Sequence, residues 1–303
     1  MNRAIWALIA ITLLWGYNWV VMKECLKQVS PVDFAAWRTI IGSLTLFLLL
    51  VYRKKPLKPK AIGITIIIGL LSTTGGIGLV TWALSLGAVG KTAILIYIMP
   101  FWVLLLAWPI LGEKVRGIQW LSVILAFIGL MVILQPWSLQ STFMGNLLAI
   151  LCSVSWAAST IVMKMARKKY EFDLTSMTAW QMFFGAIPLV LLAFSIPTPD
   201  INWSMSFVVS LFYSSVICQG IASILWFYIV QELPAGMASM GTLATPVIGF
   251  AAAFLQLGER PTLMEGIGTL LILTALIILT GQALIQTRQI FRVLRRDGTL
   301  KLH

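Results

Sequence analysis

Charge is scarce in this sequence. Only 11% of its 303 residues are charged, against 59% hydrophobic, and histidine occurs once, as His303. Mean hydropathy is +0.95, and a water-soluble fold of this composition would lack the polar surface to cover itself. The ten acids, Glu24, Asp33, Glu113, Glu171, Asp173, Asp200, Glu232, Glu259, Glu265 and Asp297, all fall between apolar runs or at their ends. Proton relays and sodium sites in membranes usually use a mid-depth carboxylate or histidine, and none is available here. Intramembrane hydrolysis or group transfer needs a nucleophile with a base, or a metal set of His, Asp and Glu, so an enzyme is not expected, nor a cofactor. Cys25, Cys152 and Cys218 are too few and too scattered for a disulfide framework or a metal cluster. No P-loop, dinucleotide fingerprint or zinc spacing is present. "TTGGIG" at 73–78 lacks the strand context of such a fingerprint and reads as glycines for close helix packing.

What the chain has instead is apolar runs of roughly 20 residues, the length that crosses a hydrocarbon core about 30 Å thick as a helix. They are expected at 4–22, 33–52, 62–82, 92–111, 117–135, 144–163, 175–195, 207–228, 236–256 and 263–284. A β-barrel would show shorter runs of alternating hydrophobicity. The expected fold is therefore an all-α integral membrane protein of ten transmembrane helices. Arg3 before the first run imitates a signal peptide, but no small-residue cleavage site follows, and the run is read as a retained helix.

The formal charge of +12 does not imply a nucleic-acid partner. With the N-terminus in the cytoplasm, 17 of the 22 basic residues fall on that side, including the cluster Arg53 to Lys60, the cluster Lys164 to Lys169, and the tail Arg288 to Lys301. Lys23, Lys27, Lys91 and Arg260 fall in opposite-side loops, and Arg38 just inside the second helix, where it can attract anions, pair with Asp33 or snorkel. This asymmetry is the positive-inside pattern. Beyond setting topology, the tail can bind anionic lipid or a cytosolic partner, because Ile290, Phe291 and Leu294 lie between its charges.

The sequence repeats itself. "MPFWVLLLAWPILGEK" from Met99 is answered by "ATPVIGFAAAFLQLGER" from Ala244, with Pro100 and Pro246 separated by 146 residues. "WGYNWVVMK" at Trp15–Lys23 matches "WAASTIVMK" at Trp156–Lys164, and Trp37 aligns with Trp180. The expected organisation is a first five-helix repeat over 1–141, a second over 142–286 and a basic cytoplasmic tail over 287–303. Five is odd, so the second copy enters the membrane from the opposite side. Inverted repeats about an in-plane pseudo-two-fold axis are the architecture of many secondary transporters, with the site near the midplane.

Ten helices in two five-helix repeats, the paired "P…LGE[KR]" and a tryptophan followed by polar residues in helices 1 and 6 resemble the drug/metabolite transporter superfamily, EamA type. The resemblance covers the chain to about Gln286. It implies an integral-membrane carrier of small metabolites, often a bacterial inner-membrane exporter of amino acids, with helices 1, 3, 4, 6, 8 and 9 around the cavity.

Polar residues within apolar helices tend to face a bundle interior. The expected substrate-binding residues are Trp15, Asn18, Trp82, Tyr97, Trp156, Ser159, Gln219, Trp226 and Thr242. Asn18 and Gln219 suit a zwitterion because an amide both donates and accepts. Pro100 and Pro246 each remove a backbone hydrogen bond and are expected to bend helices 4 and 9. Gly112 and Gly258 are expected to end those helices in left-handed caps, leaving Glu113, Lys114, Glu259 and Arg260 as loop-ordering or gating ion pairs. The chain reads as a secondary transporter of small metabolites, amino acids favoured, working by alternating access in the bacterial inner membrane. Facilitation or exchange is expected rather than carboxylate-based proton antiport. Its expected partners are a small-molecule substrate and membrane lipids, with no obligatory protein partner. The other readings are a lipid or lipid-linked sugar flippase and a non-transporting membrane subunit.

Overall fold

The computed structural model describes residues 2–115, 117–135, 143–232 and 244–296. Within them the chain is helical, without strands: α1 Asn2–Cys25, α2 Pro31–Tyr52, α3 Ile62–Leu86, α4 Val89–Leu111 and α5 Ile118–Leu134. Then come α6 Phe143–Lys169, α7 Leu174–Ser195, α8 Met205–Trp226 with its helix continuing to Glu232, α9 Ala244–Leu257 and α10 Leu263–Arg296. Among the described residues eight of these helices are long and apolar enough to cross a membrane, while α5 and α9 are shorter apolar helices. The protein is a multi-pass integral membrane protein.

Caps set several helix starts. The Ser30 hydroxyl accepts the Asp33 amide at the head of α2, with Pro31 in the first turn, where its missing N–H costs nothing. Asp173 and Ser204 cap α7 and α8 in the same manner. At the other end, Gly112 and Gly258 close α4 and α9 with φ of 71° and 66°. In both, the next residue's amide reaches back six positions, Glu113 to Ala107 and Glu259 to Ala253. The expected matched caps are therefore present.

The chain differs from the sequence expectation in three respects. α4 starts at Val89, so Lys91 lies in its first turn and not in a loop. It is also interrupted: regular helix gives way at Tyr97 and Ile98 and resumes at Met99, with Pro100 in the first turn of the second piece. A proline is tolerated there for the same reason as at any helix start, so the break precedes Pro100 instead of bending around it. For Pro246 the comparison lies outside the described residues, because 233–243 are among those not described. Finally, α10 continues to Arg296, so the basic tail begins as an extension of the last helix.

The largest helix–helix contacts all join the first half of the chain to the second: α5 with α10, α2 with α7, α1 with α9 and α8, and α6 with α4 and α3. At the α5–α10 crossing Gly129 and Gly268 meet backbone to backbone, leaving no space for a Cβ on either. The main core cluster accordingly mixes side chains from both halves, among them Phe101, Ile133, Phe207 and Ile272.

Candidate functional site

The middles of α3 and α8 are not α-helical. Leu70–Ile77 and Tyr213–Ile221 are π-helical, a widening that leaves backbone carbonyls outside the regular i→i−4 pattern and often marks functional positions. An unpaired carbonyl in an apolar interior is costly, so it needs a donor. Trp15 on α1 supplies one, its indole Nε1 donating to the Cys218 carbonyl at 2.9 Å. Trp156 on α6 supplies the other, donating to the Ser72 carbonyl at 2.8 Å, with Ser155 donating to Leu71 at 2.7 Å. Trp156 lies on Gly76, where any Cβ would collide with the indole. The two tryptophans aligned by the sequence repeat thus meet equivalent stretches of opposite halves. Trp15 also packs against Trp226, ring centroids 5.9 Å apart.

Around this frame lie buried polar groups. Asn18 is 4% exposed and Gln219 5% exposed, and among the described residues neither the Asn18 Oδ1 nor the Gln219 Oε1 has a hydrogen-bond partner. The Gln219 side chain rests on Gly42 of α2. Its Nε2 reaches only the Met182 sulfur, at 3.9 Å. Arg38, one turn before Gly42, is 7% exposed; it donates to the Met22 sulfur at 2.9 Å, and its Nε is unpartnered. Of the readings open to it, pairing with Asp33 is not made among the described residues: that carboxylate accepts from Ser30 and from Thr198. Nor does Arg38 snorkel, since it is buried.

The other expected residues are distributed unevenly. Tyr97, at the break in α4, faces the buried side chain of Thr245 in the first turn of α9. Ser159 is buried but donates to the Trp156 carbonyl of its own helix, a local bond that leaves it less free for a ligand. Trp82 is 41% exposed on α3. Thr242 lies outside the described residues. Arg38, Met22 and Thr245 are not among the residues the sequence singles out as ligands. A lone arginine seven residues into an apolar helix was the signal that could have placed Arg38 in the cluster.

The two LGE loops clamp opposite halves. Glu113 accepts Lys164 of α6 at 2.6 and 2.7 Å, with both side chains about half exposed. Glu259 accepts the Val89 and Gly90 amides at 2.7 and 3.0 Å, using the unpaired N–H groups of the α4 start. Beside it Lys91 pairs with Glu265 at 3.1 Å, and Lys23, the repeat-mate of Lys164, donates to the Leu84 and Gly87 carbonyls at 2.6 and 2.8 Å while lying within the field of Glu259. A small cavity of about 130 Å³, lined in part by Gly90, Phe250 and Glu259, remains at that end. Lys114 and Arg260 form no ion pair among the described residues.

Comparison with known proteins agrees with this architecture. An uncharacterized transporter of Bacillus subtilis (strain 168), YoaV, is 30% identical over 278 residues, covering 90% of this chain and 94% of its own. A probable amino-acid metabolite efflux pump of Escherichia coli (strain K12) is 23% identical over 283 residues, covering 88% of this chain and 91% of its own. A solved crystal structure superposes with a TM-score of 0.66 at 17% identity, covering 93% of this chain and 98% of that one, which is a likeness of fold. The sequence matches the EamA-like transporter family twice, over residues 2–135 and 143–281, so the chain belongs to that family of membrane transporters.

Proposed function

We propose that the protein is a secondary transporter of small metabolites, amino acids favoured, built as ten transmembrane helices in two inverted five-helix repeats, 1–141 and 142–286. Both termini lie in the cytoplasm, and the membrane is the bacterial inner membrane. The observation that carries this reading is the reciprocal packing of matched elements: Trp15 on the π segment of α8, Trp156 on the π segment of α3. Exchange of conformations between such halves converts an inward-open into an outward-open carrier. In this topology the Glu259 network closes the outer end and Glu113–Lys164 spans the inner end.

A zwitterionic solute suits buried amides that donate and accept, and the naming of one relative as a probable amino-acid metabolite efflux pump favours the same class. The test is counterflow in proteoliposomes preloaded with an amino-acid mixture. A labelled amino acid accumulates with wild type and not with Asn18→Ala or Gln219→Ala. A pH gradient alone drives no accumulation. Folded protein that moves none of the twenty turns the reading toward the flippase or the non-transporting subunit.

A further inference from the structure

Among the described residues Arg38 makes no ion pair. It stands seven residues after Pro31, about 10 Å along the helix at ~1.5 Å per residue, and it is buried. Every acid that makes an ion pair among the described residues is engaged elsewhere: Glu24 with Lys27, Asp173 with Lys55, Glu265 with Lys91 and Glu113 with Lys164. Asp33 accepts two hydroxyls and Glu259 two amides. The groups near the guanidinium are neutral: the Met22 sulfur and the Cys25 and Cys218 thiols. At the matching place in the second half stands Gln181, so the repeat supplies no compensating charge either. Burying a guanidinium without an anion is strongly unfavourable, and such residues in transporters mark substrate pathways.

The surroundings have a polarity. α1 and α2 run antiparallel through the Met22–Arg38 contact, so Asn18, one turn before Met22, and Gly42, one turn after Arg38, lie at similar depth. Gln219 packs on Gly42. Asn18, and the Gly42 on which Gln219 packs, therefore lie about one helical turn, ~5.4 Å, deeper along α1 and α2 than Met22 and Arg38. Acceptors without donors at one level and a cation without an anion at the next are complementary to a small zwitterion: a carboxylate on Arg38, an ammonium between Asn18 and Gln219.

We propose that Arg38 is the carboxylate-binding residue of the substrate site and that Asn18 and Gln219 take the ammonium of an α-amino acid. This rests on the transporter reading and adds to it which end of the solute meets which helix. A planar guanidinium holds a carboxylate by two parallel bonds, which a lysine ammonium does not reproduce.

The experiment is competition in counterflow by full-length protein. Proteoliposomes are preloaded with each of the twenty protein amino acids in turn. For every amino acid moved, uptake of its labelled form is competed by the free amino acid, by its carboxamide and by its deaminated acid. The carboxamide, which keeps the ammonium and loses the anion, is expected to compete at least about 10-fold more weakly than the amino acid, because a site built for a polar group rejects the analogue that lacks it. Arg38→Gln is expected to lose uptake, and Arg38→Lys to retain part of it with a raised KM. Equal competition by the carboxamide overturns the assignment of Arg38 while leaving the carrier intact, and it needs no variant to fold. Wild-type uptake kept in Arg38→Gln does the same. Folded wild type that moves no amino acid overturns the amino-acid reading and this assignment together.

Discussion

Trp156 and Ser72 are joined by a 2.8 Å hydrogen bond from indole nitrogen to backbone carbonyl, across 84 residues of chain. The same bond is drawn between Trp15 and Cys218 at 2.9 Å, across 203. Each secures a π-helical stretch whose carbonyl would otherwise face hydrocarbon unpaired. The widened helices are therefore held from outside themselves, by the other half of the molecule.

Replacing either indole by phenylalanine keeps most of the apolar area and removes the donor. Trp15→Phe and Trp156→Phe are each expected to cost about 1 kcal/mol, the scale of interhelical hydrogen bonds within membranes. The check is apparent melting temperature in detergent, expected to fall by a few degrees in each. A variant that melts with wild type shows that its carbonyl finds another partner.

Gly76→Ala is a sharper probe of the same contact. Its Cβ would collide with the Trp156 indole, while the matching contact at Trp15 is untouched. The substitution is expected to destabilise the protein by about 1–3 kcal/mol through overpacking. The combination Gly76→Ala with Trp156→Phe is expected to be less harmful than the sum of the two changes, because the sites touch. Additive melting shifts would contradict the contact.

The Glu113–Lys164 pair separates gating from stability. Exposed ion pairs contribute roughly 0–1 kcal/mol, so Lys164→Glu is expected to leave the melting temperature almost unchanged. Counterflow is nevertheless expected to fall, and to recover in Lys164→Glu with Glu113→Lys, which restores the pair in reverse. Failure of the reversed pair to restore transport removes the gating role.

Glu259→Gln weakens the hold on the α4 start by exchanging a carboxylate acceptor for a neutral amide. Phe250 lines the cavity beside it. A Phe250→Cys reporter, in a background with Cys25, Cys152 and Cys218 replaced, is expected to react several-fold faster with a membrane-impermeant maleimide once Glu259 is substituted. Unchanged labelling would mean that the neighbouring Lys91–Glu265 pair holds this end closed by itself.

Asp173 gives a pH dependence. Burial opposes its ionised form, but the Lys55 hydrogen bond and the amides of Ser176 and Thr175 outweigh burial and hold its pKa below the usual carboxylate value. A carboxylate with a depressed folded-state pKa contributes stability above its unfolded value, about 3.9, and loses it as pH falls through the folded one. The melting-temperature gap between wild type and Asp173→Asn is expected to be full near pH 7 and to shrink below about pH 4. No gap even at pH 7 would assign the stabilisation to the neutral cap, which asparagine keeps.

The helices were legible because crossing a hydrocarbon core imposes length and apolarity on each run, and a positive-φ glycine was the natural end for α4 and α9. The first turn of α4 was not, because Lys91 reads as a loop residue until Glu265, far along the chain, is seen to neutralise it. Nearness in sequence offers Asp33 as one partner for Arg38 among several, whereas that carboxylate's second donor is Thr198, brought in by folding. The π segments left no trace in composition. "LLSTTGGI" and "YSSVICQGI" share only a third-position serine and a closing Gly-Ile, which do not foretell a π-helix, and what distinguishes them is the donor opposite each carbonyl. Asn18 and Gln219 were readable as buried amides; their relation to one cation is a matter of which turns of α1, α2 and α8 lie level.

Because the broadest contacts of the bundle run from one half of the chain to the other, the first five helices have little to pack against while they are being made. At about 5–20 residues per second, the second half arrives roughly 10–30 s after the first. During that interval Arg38 and the carbonyls of the α3 π segment wait without the helices that enclose them. Biosynthesis is thus the stage at which this protein is most exposed to quality control, and a ribosome stalled between the halves would leave in the membrane a set of helices with no fold of its own.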